Sequence, residues 1–233
     1  RLREKKLESL NEYYQLIISD KEEMKVLLDS VTTNLTRFFR NQPHFDAFIN
    51  YVIPHVLEEK KLTSDRTVRI WSAGCSTGEE PYTIAMILED ILPATFTYQI
   101  TASDISLKSL MVGKQGFYPE SRIAGIPQNY LDKYFVKVDG GYQVSKSLME
   151  KINFDYHNLK NESGAKNLDI IFCRNVLIYF DEPAQCAVID KFYRAMAPHS
   201  YLFIGHSESL FGMNTKFEFL KTDWACLYQK NEK

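Results

Sequence analysis

Residues 67–83, TVRIWSAGCSTGEEPYT, set the terms for the whole chain. Val68, Ile70 and Trp71 form a short apolar run, and Ser72-Ala73-Gly74-Cys75-Ser76-Thr77-Gly78 follows as a glycine-containing turn. Glu79, Glu80 and Pro81 then lead into apolar residues at helical spacing: Tyr82, Ile84, Ala85, Ile87, Leu88, Ile91 and Leu92. Acids and a proline sit in the first helical turn, where the helix dipole and the unpaired N–H groups favour them. The order strand, turn, helix predicts the opening unit of a doubly wound α/β domain, where a nucleotide-like ligand meets the sheet edge. The turn is neither G-x-G-x-x-G nor G-x-x-x-x-G-K-[ST] and carries no lysine. Carboxylates stand where a phosphate site would have bare N–H groups. A cationic or uncharged ligand is expected, with Gly74 at the contact edge.

Size and composition narrow the rest. A chain of 233 residues allows one large domain, or one domain plus a small appendage. A net charge of −2 gives no reason to expect nucleic acid as partner. Cys75, Cys173, Cys186 and Cys226 are widely spaced, without metal-ligand spacing, and read as buried reduced thiols of a cytoplasmic protein. No metal is expected. No apolar run approaches the roughly 20 residues that span a bilayer. The chain has no signal peptide and no initiator Met, so it reads as trimmed at its start.

The first 40 residues carry helical periodicity. Arg1, Arg3, Lys5 and Lys6 make its opening turn basic, either a solvated helix face or a docking surface for an acidic partner. Residues 32–40, TTNLTRFFR, surround a Phe pair with hydroxyls, an amide and two arginines; a helix junction and a ligand-contacting segment fit equally. Pro43 opens another helix, which Pro54 is expected to kink. A second strand, 98–103, ends at Asp104, 26 positions beyond Gly78. A strand-end acid can cap a helix, but with the upstream glycine turn it is placed to accept from both hydroxyls of a ribose.

Residues 117–151 interrupt the alternation. Residues 117–119 and 125–127 read as loops, and 134–138 with 142–144 as a β-hairpin around Asp139-Gly140-Gly141. Strands at 152–156, 168–172 and 200–204, a helix at 183–196, and a terminal antiparallel pair at 217–220 and 224–228 complete the chain. Gly74, Asp104, Asn158, Asn175 and His206 all fall at strand carboxyl ends, the edge where such sheets bind ligands.

Five blocks in order, TTNLTRFFR, WSAGCSTGEEPYT, TASDI, FCRNVLIYF and GHSESL, resemble the CheR-type chemotaxis-receptor glutamate methyltransferases through nearly the whole chain. Only the family's first helices look partly missing. The resemblance implies a Rossmann-like, seven-stranded S-adenosylmethionine-dependent methyltransferase sheet whose last strand is antiparallel. It also implies a small helical N-terminal domain (1–60, with linker) before a methyltransferase domain (61–233) with an inserted β-hairpin subdomain at about 117–151. It implies methyl transfer to glutamate carboxylates on the cytoplasmic helices of chemoreceptors by a cytoplasmic monomer without membrane insertion. Positions matching the family's cofactor contacts are Asn34, Thr36, Arg40, Glu79, Asp104, Asn158, Leu159, Asn175 and Val176. Arg40, able to hold a carboxylate bidentately, and Tyr179, beyond the Asn175 strand end, are candidates for the reaction itself.

A Rossmann-type oxidoreductase is disfavoured by the turn. A non-catalytic S-adenosylmethionine-binding module, or a methyltransferase for another carboxylate, remain as alternatives. Some members of the family grip a receptor's carboxyl-terminal tail with a longer, Gly-rich hairpin loop followed by an arginine. Here the loop is short and Gln143-Val144-Ser145-Lys146 holds no arginine, so no tethering by a receptor-tail pentapeptide is expected.

Overall fold

A computed structural model of the chain describes residues 1–31 and 35–231. Helices α1 (Leu2–Lys5), α2 (Leu10–Ser19) and α3 (Lys21–Val31) come first. Ser9 caps α2 by accepting from the Glu12 amide, and Asp20 accepts from the Glu22 and Glu23 amides to open α3. Glu23 is buried and takes Arg1, Lys5 and the Tyr13 hydroxyl, which together pull its carboxyl down to about 2. Two cations of the basic opening turn are therefore engaged within the chain, while Arg3 and Lys6 stay exposed.

Helix α4 (Gln42–Ala47) leads through a π-helical turn, Phe48–Val52, into α5 (Ile53–Lys61). The expected proline kink thus takes the form of a wide turn just before Pro54, whose ring nitrogen has no hydrogen to donate.

The alternating part runs β1 (Thr67–Ala73), α6 (Glu79–Ile91), β2 (Thr97–Asp104) and α7 (Leu107–Gln115). It continues through β3 (Phe117–Pro119), α8 (Gln128–Tyr134), β4 (Phe135–Val138), β5 (Gly141–Val144) and α9 (Lys146–Met149). Then follow β6 (Ile152–Tyr156), β7 (Leu168–Cys173), α10 (Glu182–Ala195), β8 (Met196–Ile204), β9 (Glu218–Lys221) and β10 (Cys226–Lys230). The main sheet has seven strands in the order β6-β2-β1-β7-β8-β10-β9. Strands β6, β2, β1, β7 and β8 pair in parallel, and β10 slots antiparallel between β8 and β9. The mononucleotide-type reversal lies between β1 and β7, which places the carboxyl end of β1 at the ligand crevice.

Every residue of β7 is buried, as an interior parallel strand requires. Its alternate side chains feed two cores. Ile170 and Phe172, with Tyr201 and Phe203 of β8, pack on Phe45, Phe48, Val52 and Val56 of the N-terminal helices. Ile171 and Cys173, with Leu202 and Ile204, pack on α10 through Val188, Ile189 and Phe192. Residues 117–151 form more than a hairpin: β3 pairs with β5, making a three-stranded antiparallel sheet in the order β3-β5-β4. Phe117-Tyr118-Pro119 is a strand rather than a loop; at three residues it is too short to show alternation. All four cysteines are free; Cys75 and Cys173 are buried as expected, but Cys186 is half-buried and Cys226 exposed. Among the described residues no helix is long and apolar enough to cross a membrane.

Phe172 stacks on Phe203 at 4.3 Å between ring centroids and meets Phe48 edge-on at 5.5 Å. Phe172→Ala is expected to cost about 3–5 kcal/mol, as Phe→Ala does in a close-packed core. The midpoint of urea unfolding, at unchanged slope, measures it.

Candidate active site

The turn from β1 to α6 is held by the neighbouring strand. The Gly74 and Cys75 amides both donate to the Ser103 carbonyl, at 2.8 and 2.9 Å. Gly74 has φ +81, and a Cβ there would lie 2.4 Å from Val176 Cγ2. Both the backbone conformation and the close approach exclude a side chain. Asp104, at the end of β2, accepts from the Ser76 amide through Oδ2 and from the Ser106 amide through Oδ1, each at 2.8 Å. Burial pushes its carboxyl up, and the amide bonds oppose that shift. Each oxygen keeps acceptor capacity for a further donor.

The N-terminal segment is wedged onto this edge by Phe38. Its buried ring meets Tyr118 at 4.9 Å and Phe135 at 5.6 Å, both edge-on. Phe39 adopts φ +51 and donates its amide to Thr83 Oγ1 at 3.2 Å. Thr36, Arg37 and Arg40 then border the cleft. Arg174, following β7, secures the segment from below. It donates to the Arg40 carbonyl, reaches Glu80 Oε2 at 3.2 Å, and lies 5.4 Å from the centroid of the Phe45 ring. Glu80 Oε1 accepts from Ser72 Oγ at 2.7 Å. Burial raises the Glu80 carboxyl and lowers the Arg174 guanidinium from their ordinary values, and their mutual attraction opposes both shifts.

Glu79 is not in the cleft lining. It is fully buried, takes Arg122 and the Thr77 hydroxyl, and so fastens the inserted sheet to the glycine turn. The next residue, Glu80, lines the cleft instead. Adjacent acids at a helix start point about 100° apart around the axis, and the sequence does not say which faces the sheet edge.

The other strand ends complete the wall. Asn158 Oδ1 accepts from the Lys160 amide at 3.0 Å, an Asx turn that fixes the side chain beside buried Leu159. Asn175 takes φ +60, and Val176 leads into a 3-10 turn, Leu177–Tyr179. Tyr179 is 64% exposed at the rim. Thr36, Arg40, Gly74, Asp104, Asn158, Leu159, Asn175, Val176 and Tyr179 thus border one cleft of about 420 Å³. Asn34 lies outside the described residues. His206 is exposed and is not among the lining residues.

Sequence reasoning missed Glu80, Arg174 and His157 as lining residues. The signal for Arg174 was available: it is a charged residue directly after a fully apolar strand end. S-adenosylmethionine, the cofactor that the resemblance implies, fits this lining. The Asp104 carboxylate, with acceptor capacity to spare, suits its hydroxyls, and Gly74 leaves room for close approach. Two buried polar atoms of lining residues, Arg174 Nε and His157 Nε2, have no hydrogen-bond partner among the described residues. Burial lowers the His157 pKa, which favours the neutral ring.

Comparison with known proteins agrees with this geometry. Residues 34–226 match the family model described as CheR methyltransferase, SAM binding domain. A chemotaxis protein methyltransferase of Borreliella burgdorferi is 40% identical over 211 residues, covering 88% of this chain and 73% of that protein. Chemotaxis protein methyltransferase 2 of Pseudomonas aeruginosa is 36% identical over 216 residues, covering 90% and 75%. The Escherichia coli chemotaxis protein methyltransferase is 34% identical over 226 residues, covering 93% and 76%. With its glycine turn, strand-end acid and seven-stranded sheet, the chain belongs to the CheR methyltransferase family and is an S-adenosylmethionine-dependent methyltransferase.

Proposed function

We propose that this methyltransferase esterifies glutamate side chains on the cytoplasmic helices of chemoreceptors. One observation carries the reading: the cleft that contains Asp104 and Glu80 also has Arg37, Arg40 and Tyr179 along its border. An acceptor carboxylate can therefore be held by a guanidinium beside the cofactor site. When bound, S-adenosylmethionine supplies an electrophilic methyl group on a sulfonium cation. Asp104 takes the ribose hydroxyls, and Asn158, Leu159, Asn175 and Val176 form the wall around it. Arg40, whose Nη1 also donates to the Leu35 carbonyl at 2.7 Å, pairs with a carboxylate, and Tyr179 lines the path to the acceptor. A glutamate with an ordinary pKa of about 4.3 is anionic at pH 7 and needs no general base. The task left to the protein is positioning and exclusion of water. His206 has no role in this scheme.

The decisive experiment incubates the protein with radiolabelled S-adenosylmethionine and receptor cytoplasmic fragments. Base-labile label on receptor glutamates is expected. Binding without transfer would instead indicate a regulatory module, and label on another acid a different acceptor.

Asp104→Ala removes two charge-assisted acceptors, each worth roughly 1.5–3 kcal/mol. At least about a tenfold loss of affinity for S-adenosylhomocysteine is expected, since about 1.4 kcal/mol is tenfold. Calorimetry on protein whose thermal melt shows it folded measures this. An unchanged affinity removes the ribose assignment.

We further propose that the enzyme meets the receptor helices without a tail tether. Strands β4 and β5 are joined by Asp139-Gly140 alone, and exposed Asp139 would repel a terminal carboxylate. Titration with a free receptor-tail peptide is expected to give no micromolar binding; a micromolar dissociation constant would show that the tail is used.

A further inference from the structure

The rim segment 175–180 brings Asn175, Val176 and Tyr179 to the cleft, yet it is built of one left-handed residue, Asn175, and a single 3-10 turn, Leu177–Tyr179. Two side chains from elsewhere hold its backbone. Glu208, in the loop after β8, accepts from the Asn175 amide through Oε2 at 2.9 Å and from the Ile178 amide through Oε1 at 3.2 Å. The same Oε2 takes the Gly205 amide. Gln185, on α10, donates its Nε2 to the Leu177 carbonyl at 3.0 Å and to the Phe180 carbonyl at 2.9 Å. An acceptor-only group thus meets the donors of the turn, and an amide donor meets its carbonyls. The packing around the carboxylate is close: a Cβ on Gly205 would lie 2.5 Å from Glu208 Oε2 and 2.8 Å from the Asn175 amide nitrogen. Glu208 is not itself among the cleft-lining residues.

We propose that Glu208 is a positioning residue that sets Tyr179 for methyl transfer. The two carboxylate oxygens divide the task. Oε2 joins the end of β7 to the end of β8 and so shapes the cofactor wall at Asn175. Oε1 alone holds Ile178, next to Tyr179. The proposal rests on the methyl-transfer reading above for what the Tyr179 rim does, but the clamp can be read separately.

Glu208→Gln separates the two halves. A glutamine keeps one acceptor oxygen and turns the other position into a donor. Keeping the oxygen at the Oε2 position preserves two bonds, so the amide nitrogen faces the Ile178 N–H, which it cannot accept. The affinity for S-adenosylhomocysteine, measured by calorimetry, is expected to stay within about threefold of wild type. The kcat for methyl transfer to receptor fragments is expected to fall at least about tenfold. Hydrogen exchange of the Ile178 and Tyr179 amides, followed without substrate, is expected to accelerate. A wild-type kcat overturns the proposal, as does unchanged exchange or a parallel loss of affinity, kcat and melting temperature. If Glu208→Gln fails to fold, Gln185→Ala loosens the same turn from its carbonyl side. It should then give the same split between affinity and kcat; an unchanged kcat in that variant overturns the proposal. If wild-type protein transfers no methyl group to the receptor fragment, the functional reading fails, while the exchange measurement still decides whether Glu208 clamps the rim.

Discussion

The cleft depends on one buried guanidinium. Arg174 emerges from the end of β7 with almost no exposure, held by Glu80, the Arg40 carbonyl and the face of Phe45. Phe38 and the Phe39 amide also fix the segment bearing Thr36, Arg37 and Arg40, but Arg174 ties it to the end of β7. Such a pair is costly to bury and still more costly to break from one side, because the remaining charge is then stranded. Its value here lies in geometry: it makes two distant parts of the chain share one wall.

Other contacts of the same kind assemble the rest. Phe38 fills the seam between the sheet edge and the inserted strands, and Glu79 with Arg122 fastens that insertion to the glycine turn. Asp104 ties the β1 turn to the start of α7 through the Ser76 and Ser106 amides. The cleft is therefore built on strand ends rather than on free loops, which suits a reaction whose main demand is accurate placement of two reactants. Its lining mixes the Asp104 and Glu80 carboxylates with the guanidinium groups of Arg37, Arg40 and Arg174.

Much of this was legible before the fold was known, for identifiable reasons. The β1 turn and the Asp104 strand end announce themselves because strand, turn and helix signals are local, and because parallel sheets bind ligands at a predictable edge. The apolar run of β7, Ile170-Ile171-Phe172-Cys173, reads directly as a buried central strand, while buried Asp169 finds its partner, Lys60, only in the fold. The three-residue β3 does not, because too few positions exist to show alternation, and its strand character comes from pairing with β5. Pro54 announces a break in its helix, but its form, a π-helical turn over Phe48–Val52, is not written in the local sequence.

The sequence by itself determined the fold class and the sheet edge that carries Gly74, Asp104, Asn158 and Asn175, since these follow from periodicity, turn chemistry and strand ends, while Thr36, Arg40, Leu159 and Val176 came from the family resemblance. Only the tertiary structure decided between Glu79 and Glu80, because adjacent helical residues share every local signal and differ only in what lies opposite them. It likewise gave Arg174 and Glu208 their partners. The Arg40 carbonyl lies 134 residues from Arg174, and the Asn175 amide lies 33 residues from Glu208. Hydrogen bonds of that reach have no period or spacing in the sequence, because they exist only after strands from separate parts of the chain have been laid side by side.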